Sequence, residues 1–394
     1  MSVLTGLDRS VADGFTALQG LTLGVVANQA TVDAACIHLI DRLLPGHRAG
    51  AFHIGAVFGP QHGIWGHTQD NMIEWEGYPD PRTGLRFHSL YGQHREPTEA
   101  MLEGLDRLVI DVPDIGSRYY TFAWTMALCV RAAAARGLPV TILDRPNPLD
   151  GVSVEGSWIQ PGFESFVGQY PMAIRHGLTL GELAHWVNDH HLDGQADLTV
   201  VPCSGWDRRA YHDQTGLPWV MPSPNMPTLE TALVYPGQCL LEGTRLSEGR
   251  GTTRPFELFG APYLDAWEIA DAVNAVRLPG VFFRPVIFEP TFQKHAQIPC
   301  QGAQIHVTDR ASFRPVLTTI AVLQAVWRLA PNDARWLDPP YEYVWDRMPI
   351  DILAGNEWIR HAIEDQTDIA VIRDRMADEI VGFAGQRWDA LRYP

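Results

Sequence analysis

The densest run of chemically capable side chains in this 394-residue sequence is EGTRLSEGRGTTRPFE, residues 242–257, with three Glu, three Arg, three Gly and three Thr in sixteen positions. A loop of this kind presents backbone N–H groups and guanidinium forks to a carboxylate or phosphate. The plainer alternative is a surface loop held by its own ion pairs. Glu248 is its candidate proton-transfer group, and Arg250, Thr252 and Arg254 are its candidates for holding an anionic ligand. A second run, GPQHGIWGHTQDNM over 59–72, has three glycines that allow unusual backbone angles around His62 and His67. His62, His67 and Asp70 lack an HExxH or comparable frame, so hydrogen bonding by His62 in a crevice is preferred to metal binding. Glu74 and Glu76 follow beside Trp75 and Tyr78, as in a lid or a charged surface. In a third run, DVPDIGSRYYTF, Asp111 reads as a structural strand residue, whereas Asp114 lies past Pro113 at a strand end. Arg118, Tyr119 and Tyr120 read either as a wall that stacks on a sugar and grips its polar groups, or as half-buried core.

Positioning these groups requires a rim. Apolar runs at 23–27, 55–58, 108–112 and 140–143 read as buried strands, alternating with helical patterns at 32–45, 97–106 and 122–136. That alternation predicts an α/β domain with a mostly parallel, Rossmann-like sheet. Each strand is followed by polar residues: Asn28 and Gln29; Gln61 and His62; Asp114 to Tyr120; and Asp144, Arg145 and Asn147. In a doubly wound sheet such loops share the carboxyl rim where ligands bind, so the four clusters are expected to meet in one crevice. The first loop has no GxGxxG and the chain has no GxxxxGK[ST], so neither a dinucleotide nor a P-loop nucleotide is expected and no cofactor is assigned.

A helix is expected to open near Thr179, with Glu182 completing a capping box. MPSPNMPT, residues 221–228, packs three prolines into eight positions and marks a boundary between an N-terminal domain, 1–225, and a smaller α+β domain, 226–394. The second part shows helical patterns near 262–276, 314–330 and 368–391 and strand-like runs at 281–288 and 303–307.

A net charge of −16, from 30 basic and 46 acidic residues, opposes attraction to nucleic acid or anionic lipid. Five separated cysteines without a CxxC predict neither a disulfide framework nor a zinc ribbon. No apolar run approaches the roughly 18 residues of a membrane span, and the first residues do not read as a signal peptide, so a cytoplasmic protein is expected.

The segments GVVANQATVD, FGPQHGIWG, DVPDIGSRYYTF, LDRPNPLDG, SPNMPT and ALVYPGQCLLEGTRLSEGRGTTRPFE, in this order, resemble the NamZ-type exo-β-N-acetylmuramidases over nearly the whole chain. The resemblance implies a Rossmann-like domain, a smaller C-terminal domain, a cleft between them, and release of terminal N-acetylmuramic acid from peptidoglycan fragments. Asn28 in the first rim loop and Asn225 in SPNMPT are further candidate substrate contacts. The family motif reads Pro-Glu-His-Gly, where this chain has Gln61, and Arg245 stands where relatives commonly have Asn. An amide cannot donate a proton as a carboxylic acid does. With Gln61 excluded from that role, Glu248 and Asp114 are the expected carboxylate pair across the cleft, with Glu74, Glu76 and Asp70 in reserve. A substrate acetamido nucleophile oriented by Gln61 is the alternative. A glycosidase of other specificity and a sugar-fragment binding protein are the competing classes.

Overall fold

Runs that are apolar on both faces belong in a sheet covered on both sides. In the computed structural model, which describes residues 3–70 and 72–394, they form a seven-stranded sheet: β1 Thr22–Ala27, β2 His53–Gly59, β3 Tyr78–Pro79, β4 Arg86–Ser89, β5 Arg107–Asp111, β6 Val140–Leu143 and β7 Leu198–Val201. Its order is β3-β4-β2-β1-β5-β6-β7, and every pairing is parallel except β3 with β4. The strand order reverses between β1 and β5, so the crevice of a doubly wound sheet opens there. Leu23, Val25, Val26, Val109 and Ile110 are fully buried in its centre, and the helix Phe122–Ala134 covers one face with a buried Trp124.

Local chemistry moved some boundaries. The helix expected over 32–45 begins only at Leu39. Before it, the Asp33 carboxylate accepts the N–H groups of Ala35 and Ile37, both at 2.9 Å, and this side-chain turn competes with helix. The capping box at Thr179 and Glu182 is formed and starts the helix Leu180–His191. The long C-terminal pattern is two helices, Ile369–Glu379 and Val381–Ala390.

The second sheet is antiparallel, in the order β8-β10-β9, from β8 Leu258–Ala261, β9 Val281–Phe288 and β10 Cys300–Val307. Pro285, which has no N–H for a ladder, sits in the edge strand β9. Helices Leu229–Gln238 and Ala266–Asn274 pack on this sheet, and Pro315–Leu329 packs against both of them.

The two sheets are tied by buried polar bonds. Arg118, 1% exposed, donates to the carbonyls of Ser157, Met172, Leu353 and Ala354, and burial draws its guanidinium down to about 10. Glu155 accepts from the Leu317 N–H at 2.9 Å, and burial pushes its carboxyl up to about 7. The C-terminus returns to the first sheet, where the Tyr393 hydroxyl donates to Asp144. Asp111, the last residue of β5, pairs with Arg145, in keeping with the structural role expected for it. Among the described residues no helix is long and apolar enough to cross a membrane.

Candidate active site

Where the loops after β2 and β5 face the segment 239–256, they enclose a cleft of about 510 Å³ including its open mouth. Its floor is aromatic. Tyr235 meets Tyr120 edge-to-face at 5.8 Å and Phe256 at 4.8 Å, and Tyr119 lies 6.4 Å from Tyr235. Both parts of the chain supply the walls: Gln61, His62 and Thr121 from the first, Glu242, Arg250, Tyr341 and Glu342 from the second.

The charges are layered. Arg250 donates from Nη2 to Glu242 Oε1 at 2.6 Å, stacks on Phe256 at 5.0 Å, and its Nε lies 3.2 Å from Glu248. Its Nη1 has no hydrogen-bond partner among the described residues, leaving one guanidinium edge for a ligand. The other oxygen of Glu242 accepts the Tyr341 hydroxyl at 2.7 Å. Glu248 lies behind this layer. Burial opposes its charge, but Lys294 at 2.9 Å and Arg250 outweigh burial and hold its carboxyl below the usual range. Glu342 is different: its oxygens accept the Tyr91 hydroxyl at 3.2 and 3.0 Å and form no ion pair among the described residues. Burial, reinforced by Glu242, pushes its carboxyl up to about 7 against the pull of Tyr91, Arg95 and Arg250.

The 242–257 loop reaches this shape through its glycines. Gly251 has φ +78°, and a Cβ there would come within 2.8 Å of the backbone of Thr291 and Phe292. That close approach brings the segment bearing Lys294 against Glu248.

Gln61 accepts the Thr121 hydroxyl at Oε1, 2.8 Å away, and its Nε2 has no partner among the described residues. His62 is buried in a left-handed turn, φ 70°, with Nδ1 2.7 Å from the Thr68 carbonyl. A carbonyl only accepts, so Nδ1 carries the proton and Nε2 is an acceptor. Burial first, then Arg250, draws this imidazole down to about 4, so it is neutral at neutral pH.

Several expected site residues have other work. Asn28 is fully buried and donates to the Pro222 carbonyl, tying the first rim loop to the proline segment, so it does not line the cleft. Arg118 is spent on four carbonyls and offers nothing to a ligand, although Tyr119 and Tyr120 do line the cleft. Asp114 accepts the Gly116 N–H at 2.7 Å and lies 3.3 Å from His176. It opens onto a different hollow, beside Pro113, Arg145 and Trp219, so the pairing of Asp114 with Glu248 across one cleft is not formed. Thr252 bonds the Gly249 carbonyl within its own turn, and the half-exposed Arg254 pairs with Glu257. Asn225 lines the cleft and exchanges hydrogen bonds with Gln69. Of the reserves, Glu74 pairs with Arg95, Asp70 accepts from Gln293 and Glu76 is exposed, and none of the three lines the cleft.

Glu342, Tyr91 and Lys294 had no sequence signal, since each is a lone polar residue far from the motifs. Glu242 stood at the edge of the 242–257 run without being singled out. Among the described residues no group of three or more His, Cys, Asp or Glu side chains is arranged to hold a metal.

The chain matches the family model for the N-terminal part of exo-β-N-acetylmuramidase NamZ over residues 23–230 and the model for its C-terminal part over 233–393. It is 41% identical over 392 residues to the peptidoglycan β-N-acetylmuramidase NamZ of Bacillus subtilis strain 168, covering 99% of this chain and 91% of that protein. Two crystal structures of DUF1343 family proteins from Bacteroides fragilis NCTC 9343 share the fold. One has a TM-score of 0.88 at 32% identity and the other 0.75 at 28%, each covering 100% of this chain and 99% of the other.

Proposed function

The chain belongs to the NamZ exo-β-N-acetylmuramidase family, and from that premise we infer that it is a glycoside hydrolase releasing terminal N-acetylmuramic acid from peptidoglycan fragments. The observation that carries the reading to this chain's own chemistry is the free Nη1 edge of Arg250 over an aromatic floor in a protein of net charge −16. Muramic acid differs from N-acetylglucosamine by a lactyl carboxylate, and a guanidinium edge is the group that recognises it.

Tyr119, Tyr120 and Phe256 offer ring faces and edges to the apolar side of a pyranose. The Nε2 of Gln61 donates to the acetamido carbonyl, and Nε2 of His62 accepts from a sugar hydroxyl. Glu248, kept anionic by Lys294, fixes Arg250 from behind. The five cysteines form no disulfide, which supports use in the reducing cytoplasm on small wall fragments.

The test is a defined muramyl disaccharide incubated with the protein, with free N-acetylmuramic acid measured. Release of that sugar from the non-reducing end alone is expected. Tight binding without release would make the chain a fragment-binding protein, and release of a different sugar from a glycoside panel would change its specificity.

A further inference from the structure

Resting on the hydrolase reading, we propose that Glu342 is the general acid that protonates the glycosidic oxygen, taking the task that an amide at position 61 cannot perform. Among the described residues lining the cleft, two are carboxylic: Glu242 and Glu342. Glu242 has both oxygens engaged, one by the Arg250 guanidinium and the other by the Tyr341 hydroxyl. Glu342 accepts from one neutral phenol, Tyr91, and has no cation within ion-pair distance among the described residues. Of the two acids, the one that faces a single phenol and no guanidinium is the one suited to deliver a proton.

The backbone is bent to deliver this side chain. Glu342 and Tyr343 both adopt left-handed angles, φ 43° and 67°, in a turn closed by mutual hydrogen bonds between Tyr341 and Val344 at 3.1 and 2.9 Å. Non-glycine residues are strained in this region, and such strain gathers where a side chain must be aimed. Arg95 clamps the turn, lying 4.3 Å from the ring of Tyr91 and 4.3 Å from that of Tyr343.

In the reaction, the proton of Glu342 passes to the glycosidic oxygen as the bond from that oxygen to the anomeric carbon breaks, and the bonding pair leaves with the oxygen. Water then supplies the new oxygen on the anomeric carbon. Its surplus proton goes to solvent, from which Glu342 is protonated again. The groups that set the proton on Glu342 are Tyr91, Glu242, Arg95, Arg250 and Tyr343. Burial and Glu242 raise its carboxyl to about 7, so the proton-bearing form and the rate both fall as pH rises through neutrality.

The test compares two substrates: a muramyl disaccharide, whose leaving oxygen needs a proton, and an aryl muramide whose acidic phenol leaves without one. Glu342→Gln should lose about 10²- to 10⁴-fold on the disaccharide, under about 10-fold on the aryl glycoside, and the alkaline limb of the pH profile. Tyr91→Phe removes the bond that favours the Glu342 anion, so its limb should move to higher pH. Thermal melts of both variants check folding. Equal losses of Glu342→Gln on both substrates, or an alkaline limb that survives in it, would overturn the assignment while leaving the hydrolase reading standing. A wild-type chain inert toward both substrates would overturn the hydrolase reading and the assignment with it.

Discussion

Arg250 Nη2 lies 2.6 Å from Glu242 Oε1, eight residues back along the same segment. The pair is buried, with side chains 7% and 6% exposed, and Arg250 lines the cleft with no partner for its Nη1 among the described residues. A planar fork can serve Glu242 and a ligand at once, whereas an ammonium is a point charge that settles on the carboxylate. Arg250→Lys should therefore raise KM for muramic substrates about 10- to 100-fold, the worth of a charge-assisted hydrogen bond, and leave N-acetylglucosamine analogues nearly unchanged. Inhibition constants for the two sugars measure this. Equal losses for both would make Arg250 part of the frame alone.

Gln61 separates two accounts of the cleft. Its Oε1 is taken by Thr121, so its amide nitrogen is the group left for the substrate. Gln61→Glu replaces that donor with an acceptor, and KM for the N-acetylated sugar should rise by about 10-fold or more with kcat changed only a few-fold. Steady-state kinetics on the disaccharide decide it. A gain in kcat of about 100-fold would place the proton donor at position 61.

Arg118 makes four hydrogen bonds to carbonyls and none to a carboxylate. Arg118→Lys cannot reach them all, and carbonyls left unsatisfied in the core cost about 1–3 kcal/mol each. Urea unfolding should show a loss of about 3 kcal/mol or more, with KM of the folded fraction unchanged. A large KM effect at unaltered stability would return Arg118 to the binding site.

Glu155 makes stability depend on pH. Its carboxyl is raised in the folded state to about 7 from an ordinary carboxylate value, so between those limits the folded chain binds more protons than the unfolded one. Its contribution to stability is thus present at low pH, declines as pH rises toward 7, and stays low above. Glu155→Gln keeps an oxygen for the Leu317 N–H and removes the charge, so it should stabilise at pH 8, by ~3 kcal/mol at most, and change little at pH 5. Thermal melts across that range test the sign.

The parallel sheet was legible because β1, β2, β5 and β6 are short apolar runs with polar residues after them, which is how a strand buried on both faces ends at a rim. Strand β7 was not, since its residues are mostly half-buried and carry a weaker apolar signal. Segment 242–257 advertised itself by composition and does supply Glu242 and Arg250 to the cleft. Composition did not separate those two from Thr252 and Arg254, whose partners lie within the loop.

The amino-acid sequence by itself determined the family, the α/β architecture and the presence of Gln61 at the head of the second rim loop, because these depend on local pattern and order along the chain. Tertiary structure alone decided which charged groups are neutralised at once and which still have an edge to offer. Arg118 looked like a ligand clamp and is spent on carbonyls, while Glu342, silent in the sequence, meets Tyr91 across 251 residues. The availability of a polar group depends on partners brought from distant segments, and burial decides how strongly a missing partner is felt.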